Sequence, residues 1–220
     1  MLNGFEIKDR VAPSVEGIKA LTGLPTSIVC DVTGRMVGAE GLHPVNRSPV
    51  TACGNAVTVK VRSGDNLMIH LALRVLQPGD VLVVDAEGDL SRALFGEIMM
   101  SVAKSKGALA AVINGAIRDV DAFEEAKFPC WAKGVNLRGP YKEGPGSLNV
   151  PVTVGGMLIN PGDIVLGDSD GVVAFSPKQA LEIAKLGKEK VAQEQATLKS
   201  IQDGSYNDKW IDAVLKQKGC

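Results

Sequence analysis

Two apolar runs separated by a helix-forming segment constrain the fold of this 220-residue chain more than any other feature. Residues 81–84 form a continuous apolar run, which is typical of a strand that is covered on both faces. The pattern returns at residues 108–113, after a helix that we predict over residues 96–106. A strand, a helix and a second strand in this order indicate a β-α-β crossover with parallel pairing.

Strands and helices continue to alternate on both sides of this crossover. The predicted elements are a strand over residues 55–62, a helix that follows residues 63–65 and ends before Pro78, a short helix over 120–126 and a strand over 129–132. Leu67, Leu71 and Val75 would form the buried stripe of the first of these helices. Residues 133–148 are rich in glycine and lack periodicity, so we predict a long loop there, a kind of segment that often carries function.

The two ends of the chain have simpler patterns. Residues 12–37 predict two short helices. Four short strands separated by glycine turns are predicted over residues 150–154, 157–159, 164–166 and 172–175. A long and strongly charged helix is predicted over residues 177–204, and we expect it to contact a neighbouring subunit. With 45% hydrophobic and 22% charged residues, the whole of residues 1–220 is predicted to form a single α/β domain.

Composition and missing motifs argue against several classes of protein. The formal net charge of -1 offers no basic excess for a nucleic acid, and the sequence has no GxGxxG or GxxxxGK[ST] phosphate loop. Cys30, Cys53, Cys130 and Cys220 form no CxxC pair, which argues against a zinc knuckle or a dithiol site. No secretion signal or membrane-length apolar stretch is evident, so we expect a cytoplasmic protein that binds neither nucleic acid nor membranes.

The chemically informative stretch is the end of the second crossover strand. A turn predicted at Asn114 and Gly115 leads into Arg118 and Asp119. Ligands of crossover sheets bind in the crevice beyond the carboxyl ends of the strands. Arg118 offers a fork of donors that matches a carboxylate or an enolate, and Asp119 is a hard oxygen ligand for Mg²⁺. The competing interpretation is a pair that caps the helix that follows it.

Two further segments supply candidate residues. Gly96 precedes an apolar helix whose first amides are free to bind a carboxylate, and Glu97 could serve a metal. An acidic residue in a first helical turn is equally natural without any function, because it complements the helix dipole. Asp65, a good N-cap, and His70 belong to another helix start and are supporting candidates.

Five segments carry a resemblance to a known family. They are GDNLMIH (64–70), PGDVLVVDA (78–86), FGEIMMSVAKSKGALAAVINGAIRDVDAF (95–123), GSLNVPV (146–152) and PGDIVLGDSDGVV (161–173). Through them the chain resembles the family of regulator of ribonuclease activity A and the 4-hydroxy-4-methyl-2-oxoglutarate (4-carboxy-4-hydroxy-2-oxoadipate) aldolases. The resemblance implies an α/β fold of the swivelling β/β/α type, with mixed sheets and a long C-terminal helix. It also implies homotrimers or homohexamers with active sites at subunit interfaces.

The resemblance further implies a divalent-metal centre at the Arg-Asp pair. Aldolases of this family have an acidic residue, often aspartate, with twenty residues between it and an Arg-Asp pair, as Glu97, Arg118 and Asp119 have here. Asp119 and Glu97 would hold Mg²⁺ or Mn²⁺, and Arg118 would stabilise an enolate. The carboxylate of the substrate would lie on the first amides of the helix, including those of Ile98 and Met99.

Three more positions follow from the same resemblance. Lys142 matches the segment that borders the substrate in aldolase-like members, where a lysine would meet a distal carboxylate. Glu194 aligns with a glutamate that members contribute from the C-terminal helix of a neighbouring subunit, and it would help to remove the proton of the 4-hydroxyl group. An acidic residue that is common three places after the metal aspartate is Ala122 here, which leaves Asp121 as a candidate substitute.

The implied activity is that of a carbon–carbon lyase. It would cleave 4-hydroxy-4-methyl-2-oxoglutarate or 4-carboxy-4-hydroxy-2-oxoadipate to pyruvate and a second oxo acid, and would decarboxylate oxaloacetate through the same pyruvate enolate. The long C-terminal helix and the GSLNVPV segment favour this branch of the family. Two alternatives stay open at this point: a non-catalytic regulator that binds and inhibits a ribonuclease, and an enzyme for an unrelated 2-oxo acid.

Overall fold

The computed structural model describes residues 4–219, so Cys220 lies outside the described residues. In this part of the chain the helices are α1 (Val15–Leu21), α2 (Thr26–Val32), α3 (Leu67–Val75), α4 (Glu97–Ser105), α5 (Val120–Glu125), α6 (Ala180–Gln202) and α7 (Trp210–Gln217). The strands are β1 (Phe5–Ile7), β2 (His43–Pro44), β3 (Ala52–Val61), β4 (Asp80–Asp85), β5 (Ala93–Phe95), β6 (Ala110–Ile117), β7 (Cys130–Val135), β8 (Gly146–Leu148), β9 (Val152–Val154), β10 (Met157–Ile159), β11 (Ile164–Gly167) and β12 (Val172–Phe175).

The strands form a curled mixed sheet with the order β1-β8-β3-β4-β6-β7-β2 along its main path. β3, β4, β6 and β7 are parallel neighbours, as the crossover pattern predicted. The β11–β12 hairpin adds antiparallel strands to the first half of β3, and β9 and β10 form a separate hairpin. The predicted fold class, α/β with mixed sheets and a long C-terminal helix, is therefore confirmed.

The central strands are buried on both faces, and this explains their continuous apolar runs. On one face, side chains such as Val84 and Ile113 pack under α3, α4 and α5. On the other face, Val83, Val112 and Trp131 pack against the β9–β10 and β11–β12 hairpins. Since each fully buried side chain of this kind stabilises the fold by roughly 1.5–3 kcal/mol, the sheet is a rigid support for the residues at its ends.

Helix α3 buries a different face from the predicted one. Its fully buried side chains are Met68, Ile69, Ala72 and Leu73. The predicted stripe of Leu67, Leu71 and Val75 is only half-buried. The prediction was wrong because α3 contacts β3 and β8 on one side and α4 on another, which places the buried arc further along the helix.

The strand before the Arg-Asp pair is longer than predicted. β6 continues through Asn114 and Gly115 to Ile117, so the turn predicted at this position is wrong. A Cβ on Gly115 would meet Leu94 Cδ1 at 3.1 Å and Ala86 Cβ at 3.2 Å. This glycine therefore permits close packing inside the sheet, whereas its sequence pattern predicts a turn.

The predicted long loop is shorter than residues 133–148, because β7 extends to Val135 and β8 begins at Gly146. The remaining residues, 136–145, are called the pocket loop below. The helix predicted over 177–204 is confirmed as a 3-10 turn, Pro177–Gln179, followed by α6. Its contact with a neighbouring subunit stays a prediction. None of the helices described within residues 4–219 combines the length and apolarity that crossing a membrane requires.

Candidate active site

Arg118 and Asp119 directly follow strand β6 and lie at the beginning of α4. The backbone N–H of Arg118 donates to the carbonyl oxygen of Phe95 at 3.0 Å. Asp119 follows in the left-handed conformation, with φ 58° and ψ 45°, which aspartate tolerates better than most side chains. Its Oδ2 accepts a hydrogen bond at 3.0 Å from the backbone N–H of Glu97, the first residue of α4. Two segments that are distant in sequence thus meet at one carboxylate.

The alternative role for the pair, as a cap of the next helix, is met by the backbone alone, because the carbonyl of Asp119 accepts a hydrogen bond from the N–H of Ala122 at 3.1 Å. Asp119 is the N-cap residue of α5, but its side chain makes no capping hydrogen bond there. It caps α4 instead, at a separation of 22 positions along the chain. A left-handed residue that is not glycine is strained, and such strain is often found at functional sites.

Gly96 is required by the close approach of the Arg-Asp pair. A Cβ at this position would lie 2.6 Å from Asp119 Oδ2 and 3.0 Å from Arg118 Cγ. Both distances are too short for ordinary contact, so any larger side chain would displace the pair. The glycine that the sequence pattern placed before α4 is therefore a spatial requirement of this corner.

Arg118 and Asp119 form an open ion pair. Arg118 Nε lies 3.7 Å from Asp119 Oδ2, and the two side chains are 44% and 43% exposed. An ion pair this exposed stabilises a fold by at most about 1 kcal/mol. Stability of the fold is thus a weak explanation for the pair, and both side chains can reach a ligand at the surface.

A small pocket of about 40 Å³ adjoins the pair. It is lined by Asn66, Ala93, Leu94, Phe95, Gly96, Ile98, Met99, Arg118, Asp119 and Pro140. This volume is enough for a water molecule or two but too small for a dicarboxylic acid. A substrate bound here would therefore extend past the pocket to the protein surface, and a further part of its site would have to come from outside it.

The start of α4 keeps two amides for an anion. The first hydrogen bond inside this helix runs from the N–H of Met100 to the carbonyl of Gly96, so the three preceding N–H groups have no partner within the helix. Asp119 accepts from the first of them, that of Glu97. The N–H groups of Ile98 and Met99 remain, at the positive end of the helix dipole. Two of the three predicted amide donors are therefore free for an anion, because Asp119 occupies that of Glu97.

Asn66 is a pocket residue that the sequence interpretation missed. It is 3% exposed, and its Nδ2 donates to the carbonyl of Leu94 at 2.9 Å and contacts Met99 Sδ at 3.2 Å. Its Oδ1 accepts no hydrogen bond from the residues described. An asparagine directly before a helix is expected to cap it, so its sequence position does not indicate a place in a pocket. In the structure the Asn66 side chain makes no capping hydrogen bond with α3.

The donors at this corner fit a hard divalent cation. Between residues 4 and 219, no group of three or more His, Cys, Asp or Glu side chains converges to hold a metal ion by itself, so a cation here would rely on fewer carboxylates. Mg²⁺ keeps several waters and is often held by one or two carboxylates together with the substrate. Both contacts of the Asp119 carboxylate use Oδ2, which leaves Oδ1 for a cation, and Glu97 starts the adjacent helix.

Three residues singled out from the sequence lie away from the pocket within one chain. Lys142 is exposed and faces α3, where burial and, secondly, the charge of Lys142 lower the pKa of His70. Glu194 is half-exposed and pairs with Lys190 at 3.5 Å, on a helix that packs on α1 and α2. Asp121 pairs with Arg47 at 2.8 Å. The single chain brings together Gly96, Glu97, Ile98, Met99, Arg118 and Asp119 only.

A larger cavity, of about 640 Å³, lies near the amino ends of the parallel strands. Its lining includes Leu24, Pro25, Cys53, Leu109 and Lys127. Burial raises the pKa of the Cys53 thiol, which keeps it protonated and unreactive. The carboxylate among its lining residues, that of Asp168, already accepts hydrogen bonds from the N–H and the hydroxyl of Thr26, so size alone does not make this cavity the better candidate.

The fold and the corner together define a class of protein: an α/β domain with its site beyond the carboxyl end of a parallel strand, where an Arg-Asp pair meets a helix N-terminus. Residues 26–174 match the family model described as "RraA-like: Aldolase/RraA". The chain therefore belongs to the RraA-like family.

The similar proteins include one named as an aldolase and one named as an RNA-processing inhibitor. A protein of Halalkalibacterium halodurans, named "Putative 4-hydroxy-4-methyl-2-oxoglutarate aldolase", is 35% identical over 190 residues, which cover 86% of this chain and 90% of that protein. The RNA-processing inhibitor RraA from Thermus thermophilis has a TM-score of 0.63 at 27% identity, covering 69% of this chain and 92% of its own. An uncharacterized protein from Pseudomonas syringae has a TM-score of 0.78 at 22% identity, covering 89% and 96%, and it supports the fold alone.

Proposed function

We propose that this protein is a divalent-metal-dependent carbon–carbon lyase for small 2-oxo acids, of the 4-hydroxy-4-methyl-2-oxoglutarate or 4-carboxy-4-hydroxy-2-oxoadipate aldolase type. The observation that carries the proposal is the hydrogen bond from the N–H of Glu97 to Asp119. It places a carboxylate that could bind a metal ion, together with Arg118, at a helix N-terminus that could bind an anion. A 2-oxo acid carries adjacent carboxylate and ketone groups that match this set. The name of the relative from Halalkalibacterium halodurans supports the same reaction type.

Each residue of the corner has a distinct task in this mechanism. The carboxylate of the substrate accepts hydrogen bonds from the N–H groups of Ile98 and Met99. Asp119 and Glu97 would hold Mg²⁺ or Mn²⁺, which supplies Lewis-acid polarisation of the 2-oxo group when it is bound. Arg118 directs its donors at the ketone oxygen and stabilises the negative charge that develops there as the C3–C4 bond breaks.

The same corner serves two reactions that share an intermediate. Cleavage of a 4-hydroxy-2-oxo acid leaves pyruvate enolate and a second oxo acid, whereas oxaloacetate gives pyruvate enolate and CO₂. Only the first reaction requires removal of the proton of the 4-hydroxyl group. We propose that Glu194 of the partner subunit removes it through a water, in a homotrimer or homohexamer, and that Lys142 binds the distal carboxylate.

The test measures pyruvate release from oxaloacetate and from 4-hydroxy-4-methyl-2-oxoglutarate, with Mg²⁺ and with EDTA. We expect metal-dependent turnover, and a loss of about 100-fold or more in Arg118→Ala and in Asp119→Ala, because each removes a group that stabilises the transition state. Ser101→Ala, on an exposed position of α4, is the control and should keep wild-type rates. Absence of turnover by folded, metal-loaded wild type on both substrates would favour a regulator that binds a ribonuclease, or a different 2-oxo acid.

A further inference from the structure

A buried aspartate beside the pocket binds only backbone amides. Asp65 is 1% exposed, and its Oδ1 accepts a hydrogen bond from the N–H of Leu67 at 2.9 Å. Its Oδ2 accepts two more, from the N–H of Glu143 at 2.6 Å and from the N–H of Gly144 at 3.0 Å. One carboxylate thus ties the start of α3 to the pocket loop. Hydrogen bonds to an ionised oxygen are stronger than neutral ones, so this is a firm attachment.

The pocket loop is attached at other points as well. Tyr141 pairs with the extended segment around Asp65. Its N–H donates to the carbonyl of Gly64 at 2.8 Å, and its carbonyl accepts from the N–H of Asn66 at 3.0 Å. Arg92 donates to the carbonyl of Gly139 at 2.8 Å and stacks over the ring of Tyr141, 4.1 Å from its centroid. These contacts hold the loop in one position against the body of the protein.

The position of this loop matters because it forms a wall of the candidate site. Pro140 lines the pocket. A Cβ on Gly139 would lie 3.4 Å from Arg118 Nη1, so the guanidinium lies close to the loop at this residue. Asn66 also lines the pocket and donates to the carbonyl of Leu94, another lining residue. Asp65 and Asn66, two adjacent residues before α3, therefore bind the pocket loop and a second part of the pocket lining.

We propose that Asp65 is a positioning residue that holds the pocket loop as a support for Arg118. The inference rests on the proposed function only for its effect on catalysis, because the attachment itself is independent of any reaction. Asp65 touches neither the pocket nor the pair. It acts through the loop backbone, which limits where the guanidinium of Arg118 can lie, and a displaced guanidinium would no longer face the ketone oxygen.

Asp65→Asn tests the role of the carboxylate with little change in shape. Its amide group can accept from the loop or from Leu67, but its NH₂ group would then face a backbone N–H, which is also a donor. We expect trypsin to cleave after Lys142 about tenfold faster in folded Asp65→Asn than in wild type, as the loop opens more often. We also expect kcat to fall about tenfold or more with a smaller change in KM, because Arg118 acts on the transition state.

Two further variants separate loop position from general stability. Asp163→Asn alters another buried aspartate, which accepts from the N–H of Asn160 at 2.8 Å in a turn away from the pocket. It should lower Tm while leaving cleavage after Lys142 and kcat as in wild type. Arg92→Ala releases the same loop from its exposed end, so it should reproduce both effects of Asp65→Asn, and it decides the question if Asp65→Asn does not fold.

The outcomes that overturn the proposal are distinct from those that overturn the lyase. Wild-type cleavage after Lys142 in folded Asp65→Asn, or in Arg92→Ala when the first variant does not fold, would refute the attachment. Faster cleavage with unchanged kcat would refute the support of Arg118. If wild type has no lyase activity, the proposed function fails, and the trypsin experiment alone still decides whether Asp65 holds the loop.

Discussion

The corner around Asp119 and the C-terminal extension, residues 188–217, are stabilised in different ways. In the corner, backbone groups of β6, α4 and the pocket loop fix each other through contacts between distant parts of the sequence. In the extension, most side chains from Lys188 onward are exposed, and α7 buries no residue. Apolar side chains such as Leu198, Ile201 and Trp210 are 53–59% exposed there.

The difference separates the region whose geometry a single chain fixes from the region that makes few contacts within the chain. The corner obtains its geometry from the sheet and from hydrogen bonds within the chain. The extension presents helices whose apolar side chains, such as Leu198, Ile201 and Trp210, have little to pack against in the same chain; the predicted contact with a neighbouring subunit would cover them. Under the proposed function, the corner binds and polarises the 2-oxo acid, and Glu194 of the partner subunit completes the proton transfer.

The largest expected effect comes from disturbing the corner. Gly96→Ala would place a methyl group 2.6 Å from Asp119 Oδ2 and so displace the carboxylate. We expect kcat/KM for both reactions to fall by roughly 1000-fold, since misplacement by an ångström costs about 100-fold and two groups of the pair move. The measurement is pyruvate release, with circular dichroism to establish that the variant is folded. Near wild-type turnover would show that the corner is not the catalytic centre.

A smaller and selective effect is expected from the extension. Glu194→Gln should lower aldol cleavage by about 100-fold, the lower range for loss of a general base, and leave oxaloacetate decarboxylation nearly unchanged. Glu189→Gln, at another exposed position of α6, is the matched control and should affect neither reaction. Equal losses of both activities in Glu194→Gln would contradict the assignment. The ratio of aldol cleavage to oxaloacetate decarboxylation therefore tests whether the extension contributes only to removal of the 4-hydroxyl proton.

Sequence patterns predicted the elements whose burial can be recognised within one continuous segment. Apolar runs gave the parallel strands because a strand covered on both faces shows this burial directly in its residues. The turn expected at Gly115 was wrong, since a glycine looks the same in a turn and at a close contact inside a sheet. The short strands β1, β2 and β5 have too few residues for a periodic signal.

The candidate site could be predicted only where residues are neighbours in sequence or match the family. Arg118 and Asp119 are adjacent, so the sequence alone predicts that they lie together after a buried strand. The bond from Glu97 to Asp119 depends on the left-handed conformation of Asp119, which no pattern indicates. The roles of Asn66 and Asp65 depend on which backbone groups lie opposite them, and those belong to segments that are 28 and 78 positions away.

The smallest expected effect concerns Lys142, which the resemblance assigns to the substrate and which faces α3 in a single chain. Burial and the charge of Lys142 hold the pKa of His70 below its ordinary value of 6.5. Lys142→Ala should therefore raise the pKa of His70 toward that value, as measured by NMR titration of the imidazole. Arg74→Ala, on the exposed side of the same helix, is the control for a general change of charge.

The same shift has a consequence for stability. Because the imidazole of His70 binds protons less readily in the folded state, its contribution to stability is present above pH 6.5 and is lost as the pH falls through the lower folded pKa. In Lys142→Ala this loss should be smaller, since the folded and unfolded pKa values lie closer together. Urea unfolding at pH 7.5 and at pH 5 measures the difference. An unchanged pKa of His70 in Lys142→Ala would mean that the lysine faces away from α3 in solution, which would leave it free to meet the distal carboxylate at the corner.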